Sequence, residues 1–288
     1  MSDAVLAMAY GSPSRVEDIP AYFEDIRGGR PARQEAVDEL VERYRRIGGS
    51  PLNEVTEAQR SALARELGLP VYLGMKHWDP WIVDGVRRAL TDGATRIIAF
   101  VLAPHYSRMS IGGYRERVEE ALDGAAELRF VESWHDHEPY IDVLARRVGG
   151  TDAHVVFTAH SLPERILASG DPYRDQLLAT SRLVAARANV SDDRWSFAFQ
   201  SESATGEPWL GPDILDELDR LHDAGVRKVL VAPVGFVADH LEILWDIDVE
   251  ARERADALGL ELDRIPSLNA DPDFIRGLAE LVRRELAR

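Results

Sequence analysis

The chain has 288 residues, 45% of them hydrophobic and 29% charged, the mix of a globular protein long enough to bury its own core. It contains no cysteine, which excludes disulfides, thiolate zinc sites, a cysteine nucleophile and a cysteine-ligated iron–sulfur cluster. Its 34 basic and 50 acidic residues give a formal net charge of -16, which argues against nucleic-acid binding, and no apolar run approaches the roughly 20 residues of a membrane span.

Residues 4–9 read as a strand that begins almost at once after Met1-Ser2-Asp3. The basic start and long apolar core of a signal peptide are missing there, so the expected compartment is the cytoplasm. Helical patterns follow at 16–26 and 33–47. Here the acidic trend breaks locally, with six arginines from Arg27 to Arg46 against Glu35, Asp38, Glu39 and Glu42. Glu39–Arg43 and Glu42–Arg46 have the spacing of helical ion pairs, which makes most of these arginines a solvated face; one or two are candidate anchors for carboxylates or phosphates. A helix at 54–67, a strand at 71–75, a helix at 80–91, a strand at 96–102, a helix at 113–121, a strand at 129–133 and a helix at 139–148 complete the first half. The second half runs strand 154–159, helix 171–188, strand 195–200, helix 212–224, strand 228–233, helix 240–257, strand 260–265 and helix 272–287.

This alternation predicts an α/β fold with mostly parallel sheets, helices on both faces, and a site beyond the carboxyl ends of the strands. The order of landmarks repeats. Ala9-Tyr10-Gly11-Ser12-Pro13 follows the first strand and Ala159-His160-Ser161-Leu162-Pro163 the fifth. Pro80-Trp81 and Pro208-Trp209 each precede a helix leading into a strand that ends in Ala-Pro, at Ala103-Pro104 and Ala232-Pro233. The repeat predicts two similar domains, 1–149 and 150–288, facing a central cleft, with the last helix packing back on the first domain.

His160 ends a strand, and its imidazole can be neutral near pH 7, able to bind a metal or accept a proton. Ser161 and Glu164 have the spacing of a capping box, which would fix the turn that aims it. Residues 234–242 run from a strand into a helix, and Glu242 recurs on one helical face as Asp246 and Glu250. Such a file can attract a dication and pass it along; the alternative is a cap made by Asp239 and Glu242, with Asp246 and Glu250 solvated. His77, His105 and His240 also follow strands and are open to metal binding or to a structural hydrogen-bonding role. His135, Asp136, His137 and Glu138 resemble a metal site by composition but read as a solvated loop. Dinucleotide, P-loop and zincin motifs are absent.

At these residues the sequence resembles the ferrochelatase family over essentially its whole length. The resemblance rests on Met8-Ala9-Tyr10-Gly11-Ser12-Pro13, Ile47-Gly48-Gly49-Ser50-Pro51-Leu52, Gly74-Met75-Lys76-His77, Leu102-Ala103-Pro104-His105-Tyr106-Ser107, Thr158-Ala159-His160-Ser161-Leu162-Pro163-Glu164, Gln200-Ser201-Glu202 with Pro208-Trp209-Leu210-Gly211-Pro212, and Pro233-Val234-Gly235-Phe236-Val237-Ala238-Asp239-His240-Leu241-Glu242. It implies two Rossmann-like domains around a porphyrin cleft. It implies that His160 and Glu242 are the metal-binding and catalytic pair, with Asp246 and Glu250 as a metal route or second metal site. It implies that Tyr10, Arg27, Arg43, Tyr44, Ser50 and Tyr114 contact the substrate. Arg30 is as attractive as these arginines by charge, but the resemblance favours Arg27 and Arg43. The chain departs from the family pattern by one residue missing before Ser50 and by Gly28 where a basic residue often follows Arg27.

The implied reaction is insertion of ferrous iron into coproporphyrin III, for which Tyr10 is the family's marker. The iron is a substrate; no other cofactor and no iron–sulfur cluster is expected. The expected protein is a monomer with no nucleic-acid partner, handing its product transiently to the next haem-pathway enzyme. The rival readings are a protoporphyrin IX ferrochelatase, a chelatase loading another metal into a tetrapyrrole, and a non-enzymatic haem or metal carrier.

Overall fold

The computed structural model describes residues 2–203 and 206–288. Strand β1 (Asp3–Ala9) is buried from Ala4 onward, as an unbroken apolar run requires of a strand covered on both faces. It lies between β2 (Val71–Met75) and β3 (Arg96–Val101), and β4 (Glu127–Val131) pairs on the far side of β3. The order is β2-β1-β3-β4, all parallel. The second half repeats it with β5 (His154–His160), β6 (Trp195–Gln200), β7 (Lys228–Ala232) and β8 (Glu261–Arg264), in the order β6-β5-β7-β8. In each sheet the strand order reverses at the first strand. Crevices therefore open beyond the carboxyl ends of β1 and β3, and of β5 and β7. Tyr10 follows β1 directly, and His160 is the last residue of β5.

In the first half, α1 (Ile19–Ile26), α2 (Gln34–Ile47), α3 (Leu52–Leu67), α4 (Ile82–Thr91), α5 (Gly113–Leu122) and α6 (Glu138–Val148) accompany the sheet. In the second, α7 (Arg165–Ala168), α8 (Tyr173–Arg187), α9 (Ile214–Asp223), α10 (Arg252–Leu258) and α11 (Pro272–Ala287) do so. One buried apolar cluster joins the sheets: Val5 and Phe100 reach Val155 and Phe157 through Tyr140 and Leu144 of α6 and Phe274 and Leu278 of α11. Helix α11 packs on α3 and α6, and its Arg283 pairs with Glu66 of α3 at 3.3 Å. Among the described residues no helix is long and apolar enough to cross a membrane.

Four elements differ from the sequence expectation. The fourth strand begins two residues early, at Glu127, because pairing starts with Glu127 opposite Arg96; by Trp134 the chain has turned aside and donates its N–H to the Pro104 carbonyl. The helix expected at 240–257 is largely a π-helix, Ile243–Ala251, continued by α10. Its buried Ile243, Ile247 and Ala251 recur every four residues, a spacing that suits its wider i→i+5 turn. A second π turn, Arg108–Gly112, leads into α5, and the single turn of α7 lies outside the expected helices.

Candidate active site

The carboxyl ends of the two sheets border a cleft of about 1130 Å³, counted with its open mouth. From the first half, Tyr10, Tyr44, Ser50 and Tyr114 line it; from the second, His160 and Glu242 do. These six are the predicted residues that the fold brings together.

The first-half wall is a set of ordered phenols. Ser12 Oγ and the Tyr44 hydroxyl lie 2.9 Å apart, and the Tyr22 hydroxyl donates to the Gly11 carbonyl at 3.0 Å. Tyr10 stands 41% exposed in the cleft, its ring centroid 4.5 Å from that of His77. Burial raises the phenol pKa values of Tyr10, Tyr22 and Tyr114, and takes that of Tyr44 to about 12, so the wall is neutral. His77 Nδ1 is 2.7 Å from Asp25 Oδ2. Burial outweighs the attraction of Asp25 and lowers the imidazole to about 4. The contact is therefore a neutral His77 Nδ1–H donated to the carboxylate, not an ion pair.

His160 is held from behind. Its Nδ1 lies 3.4 Å from the Gln200 carbonyl oxygen, a long hydrogen bond that leaves Nε2 for the cleft. Its own carbonyl accepts from the Tyr173 hydroxyl at 3.0 Å. The capping box does not form: the Ser161 hydroxyl donates to the Leu210 carbonyl at 2.7 Å, and the Glu164 N–H goes to Pro208 at 2.9 Å. The turn is aimed instead by the strand-like segment at 208–210.

Glu242 arrives on the other side of the same crevice, after β7. The chain leaves β7 through Val234-Gly235, where a Cβ on Gly235 would lie 2.5 Å from the Ala159 Cβ; only glycine lets this loop press against β5. Asp239 does not cap the following helix. It accepts from Ser267 at 2.7 Å and Asn269 at 2.8 Å and lies 3.3 Å from Arg264. His240 donates Nδ1–H to the Ala238 carbonyl at 2.9 Å and turns Nε2 toward Glu242 Oε2, 3.7 Å away. Burial opposes the Glu242 charge, but His160, His240 and Ser201 more than offset it, and the carboxyl falls to about 2. Glu242 is a carboxylate at neutral pH.

Asp246 lies one turn on, buried, and accepts a hydrogen bond from the Ser201 hydroxyl. Burial, then the Glu242 charge, push it up to about 7. Glu250 is half-buried beyond it, and its charge also raises Asp246. Neither residue lines the cleft, so the acidic file leads away from it. Among the described residues no three of His, Cys, Asp and Glu gather into a group that could hold a metal ion.

Arg27 and Arg43 do not line the cleft. Arg27 is exposed, 5.9 Å over the Phe23 ring. Arg43 pairs with Glu39 at 2.7 Å, and with Arg46 it flanks the Trp245 ring, each guanidinium 5.4 Å from the centroid. The 135–138 loop is less solvated than expected: His137 is buried, its Nε2–H donated to the Gly277 carbonyl at 2.8 Å and its Nδ1 accepting from Arg284 at 2.9 Å. His240, open in the sequence to a metal-binding or a structural role, takes the hydrogen-bonding one beside Glu242, and Ser201 is a contributor that spacing alone does not single out. Ser201 reaches Asp246 by a turn at φ 65, a left-handed conformation no pattern of polarity announces.

A ferrochelatase family model matches residues 2–286. A ferrochelatase from Deinococcus radiodurans is 45% identical, the match covering 98% of this chain and 96% of that one. The chain belongs to the ferrochelatase family. Ferrochelatase activity, a step of haem biosynthesis, goes with that membership. A coproporphyrin III ferrochelatase from Geobacillus thermodenitrificans is 40% identical over 99% of this chain and 96% of the relative. Among solved structures, SirB from Bacillus subtilis with Fe3+ superposes with a TM-score of 0.66 over 99% of this chain and 95% of that one. At 13% identity, that likeness is one of fold.

Proposed function

We propose that this ferrochelatase inserts ferrous iron into coproporphyrin III to give coprohaem, with His160 and Glu242 as the residues that handle iron and pyrrole protons. The observation that carries the reading is the cleft itself, which has a wall of neutral phenols on the first half and an imidazole with a carboxylate on the second. A free porphyrin carries two N–H protons in a flat ring, so iron enters only when the ring bends and both protons leave. A cleft of this kind bends the ring with binding energy drawn from the rest of the macrocycle. His160 Nε2 accepts one pyrrole proton, and the Glu242 carboxylate, which attracts the dication, takes the other and relays it toward Asp246 and Glu250. Two protein ligands hold iron weakly, compared with the three or four of a stable site, which suits a metal that must be given up. The reaction so drawn uses no resident cofactor.

Coproporphyrin is favoured over protoporphyrin by Tyr10 in the cleft and by the naming of the Geobacillus relative. Coproporphyrin has two more propionates than protoporphyrin. One shielded hydrogen bond from a cleft hydroxyl to a propionate is worth roughly 1.5–3 kcal/mol, enough for about tenfold discrimination or more. Specificity constants for both porphyrins, measured anaerobically with ferrous iron at constant detergent, should favour coproporphyrin III by that factor. Equal or better use of protoporphyrin IX overturns the choice of porphyrin and leaves the metal insertion intact.

A further inference from the structure

Gln200 is the last residue of β6, fully buried, and sits in register beside His160. Its side chain and its backbone face different parts of the site. The amide Oε1 accepts from the Thr158 hydroxyl at 3.0 Å, and Nε2 donates to the Glu242 carbonyl oxygen at 3.0 Å. The backbone carbonyl accepts from Ser161 N at 2.8 Å and faces His160 Nδ1 at 3.4 Å. The orientation of the amide is determined by chemistry: flipped, it would set its oxygen against the Glu242 carbonyl, two acceptors without a proton between them. One side chain with no solvent access thus links the end of β5 to the start of the helix that bears the acidic file.

We propose that Gln200 is a positioning residue that sets the separation of His160 and Glu242, and that Thr158 acts through it by holding its amide. This rests on the reading of His160 and Glu242 given above. Gln200 touches neither porphyrin nor iron in this scheme. Its backbone favours the His160 tautomer that leaves Nε2 for the cleft, and its amide holds the main chain of Glu242 where the π-helix begins. Reacting groups displaced by a fraction of their working distance lose rate steeply, so the consequence should fall on the metal step rather than on porphyrin binding.

The test compares Gln200→Leu, Thr158→Val and Thr158→Ser with the unmodified chain and with His160→Ala. Each is assayed for thermal unfolding, coproporphyrin affinity by fluorescence quenching, kcat and KM for ferrous iron, and the relative rates with zinc and cobalt. Gln200→Leu should keep porphyrin affinity within about twofold, lose about tenfold or more in kcat, and change the ratio of rates among the three metals. Thr158→Val should give the same pattern more mildly, and Thr158→Ser, which keeps the hydroxyl, should restore it. A buried amide that only fills space would lower the unfolding temperature and the active fraction while leaving KM for iron and the metal ratios unchanged; that result overturns the proposal. Should Gln200→Leu fail to fold, the Thr158 pair decides: Thr158→Val equal to Thr158→Ser in kcat and metal ratio overturns it. An active, folded His160→Ala variant would instead remove the reading on which it rests, so the two failures are distinguishable.

Discussion

His160 and Glu242 come from neighbouring strands that flank one crevice of the second sheet, and each has its polar neighbours already in place. For His160 the useful nitrogen is chosen by the bond at the other one. His160→Ala should therefore lower kcat by at least about 100-fold while coproporphyrin still quenches protein fluorescence; near-normal turnover in a folded variant would remove the assignment. His77 offers a test in stability. Its folded pKa, about 4, lies below the unfolded value near 6.5. Between those limits the unfolded chain binds a proton that the folded chain refuses, so stability falls as pH drops from 6.5 to 4 and is unaffected by this group above that window. The gap corresponds to something on the order of 3 kcal/mol for a side chain so well buried. His77→Gln should flatten that acid limb in chemical denaturation run at stepped pH; an unchanged slope would show that another group carries it. His160 stands out in the sequence because it ends a strand of a parallel sheet, whereas Glu242 and Tyr10 are picked out by the family resemblance. Ser201 is not legible, because it depends on a left-handed turn, and the choice between the two roles open to His240 depends on a ring orientation fixed by a local carbonyl.

At the scale of elements, the π-helix changes the meaning of the acidic file. The i, i+4, i+8 spacing keeps Glu242, Asp246 and Glu250 on one broad face in either helix type, but only Glu242 lines the cleft. Asp246→Ala and Glu250→Ala should mainly raise the iron concentration needed for half-maximal rate, whereas Glu242→Ala should lower the maximal rate; identical behaviour of the three in steady-state assays would end the idea of a graded route. The π-helix is also tied to α2, since Arg43 and Arg46 both stack on Trp245. Trp245→Leu should cost about 1–2 kcal/mol beyond its lost packing, from two partly shielded cation–π contacts, and a double-mutant cycle with Arg43→Ala measures it. Zero coupling would mean that the ring and the guanidinium are merely adjacent. Each of the eight strands among the described residues has its counterpart in the sequence reading, β4 misplaced by two residues and β8, Glu-Leu-Asp-Arg, too polar to count as an apolar run. Apolar periodicity distinguishes strand from helix but not an α-turn from a π-turn, because both bury the same side chains.

The whole molecule is drawn together by its last helix. Leu278 and Phe274 of α11 belong to the same buried cluster as Val5 of β1, and α11 lies on α3. The two sheets share a core, so calorimetry should record a single cooperative transition; two resolved transitions would show that the halves unfold independently. The repeated order of landmarks made two similar units legible in the sequence, and the last helix was expected to pack back on the first domain; which side chains of α6 and α11 join the cores was not legible, since they are spaced like those of any amphipathic helix. This closure has a consequence for biosynthesis. On the ribosome, α3 emerges some 200 residues before the helix that covers it. Throughout that interval the apolar surface destined for α11 lacks its cover, and the first half stays incomplete until α11 has been made. Holdase chaperones that recognise exposed apolar segments should therefore engage the nascent chain over this face and leave it once residues 272–287 are free to dock.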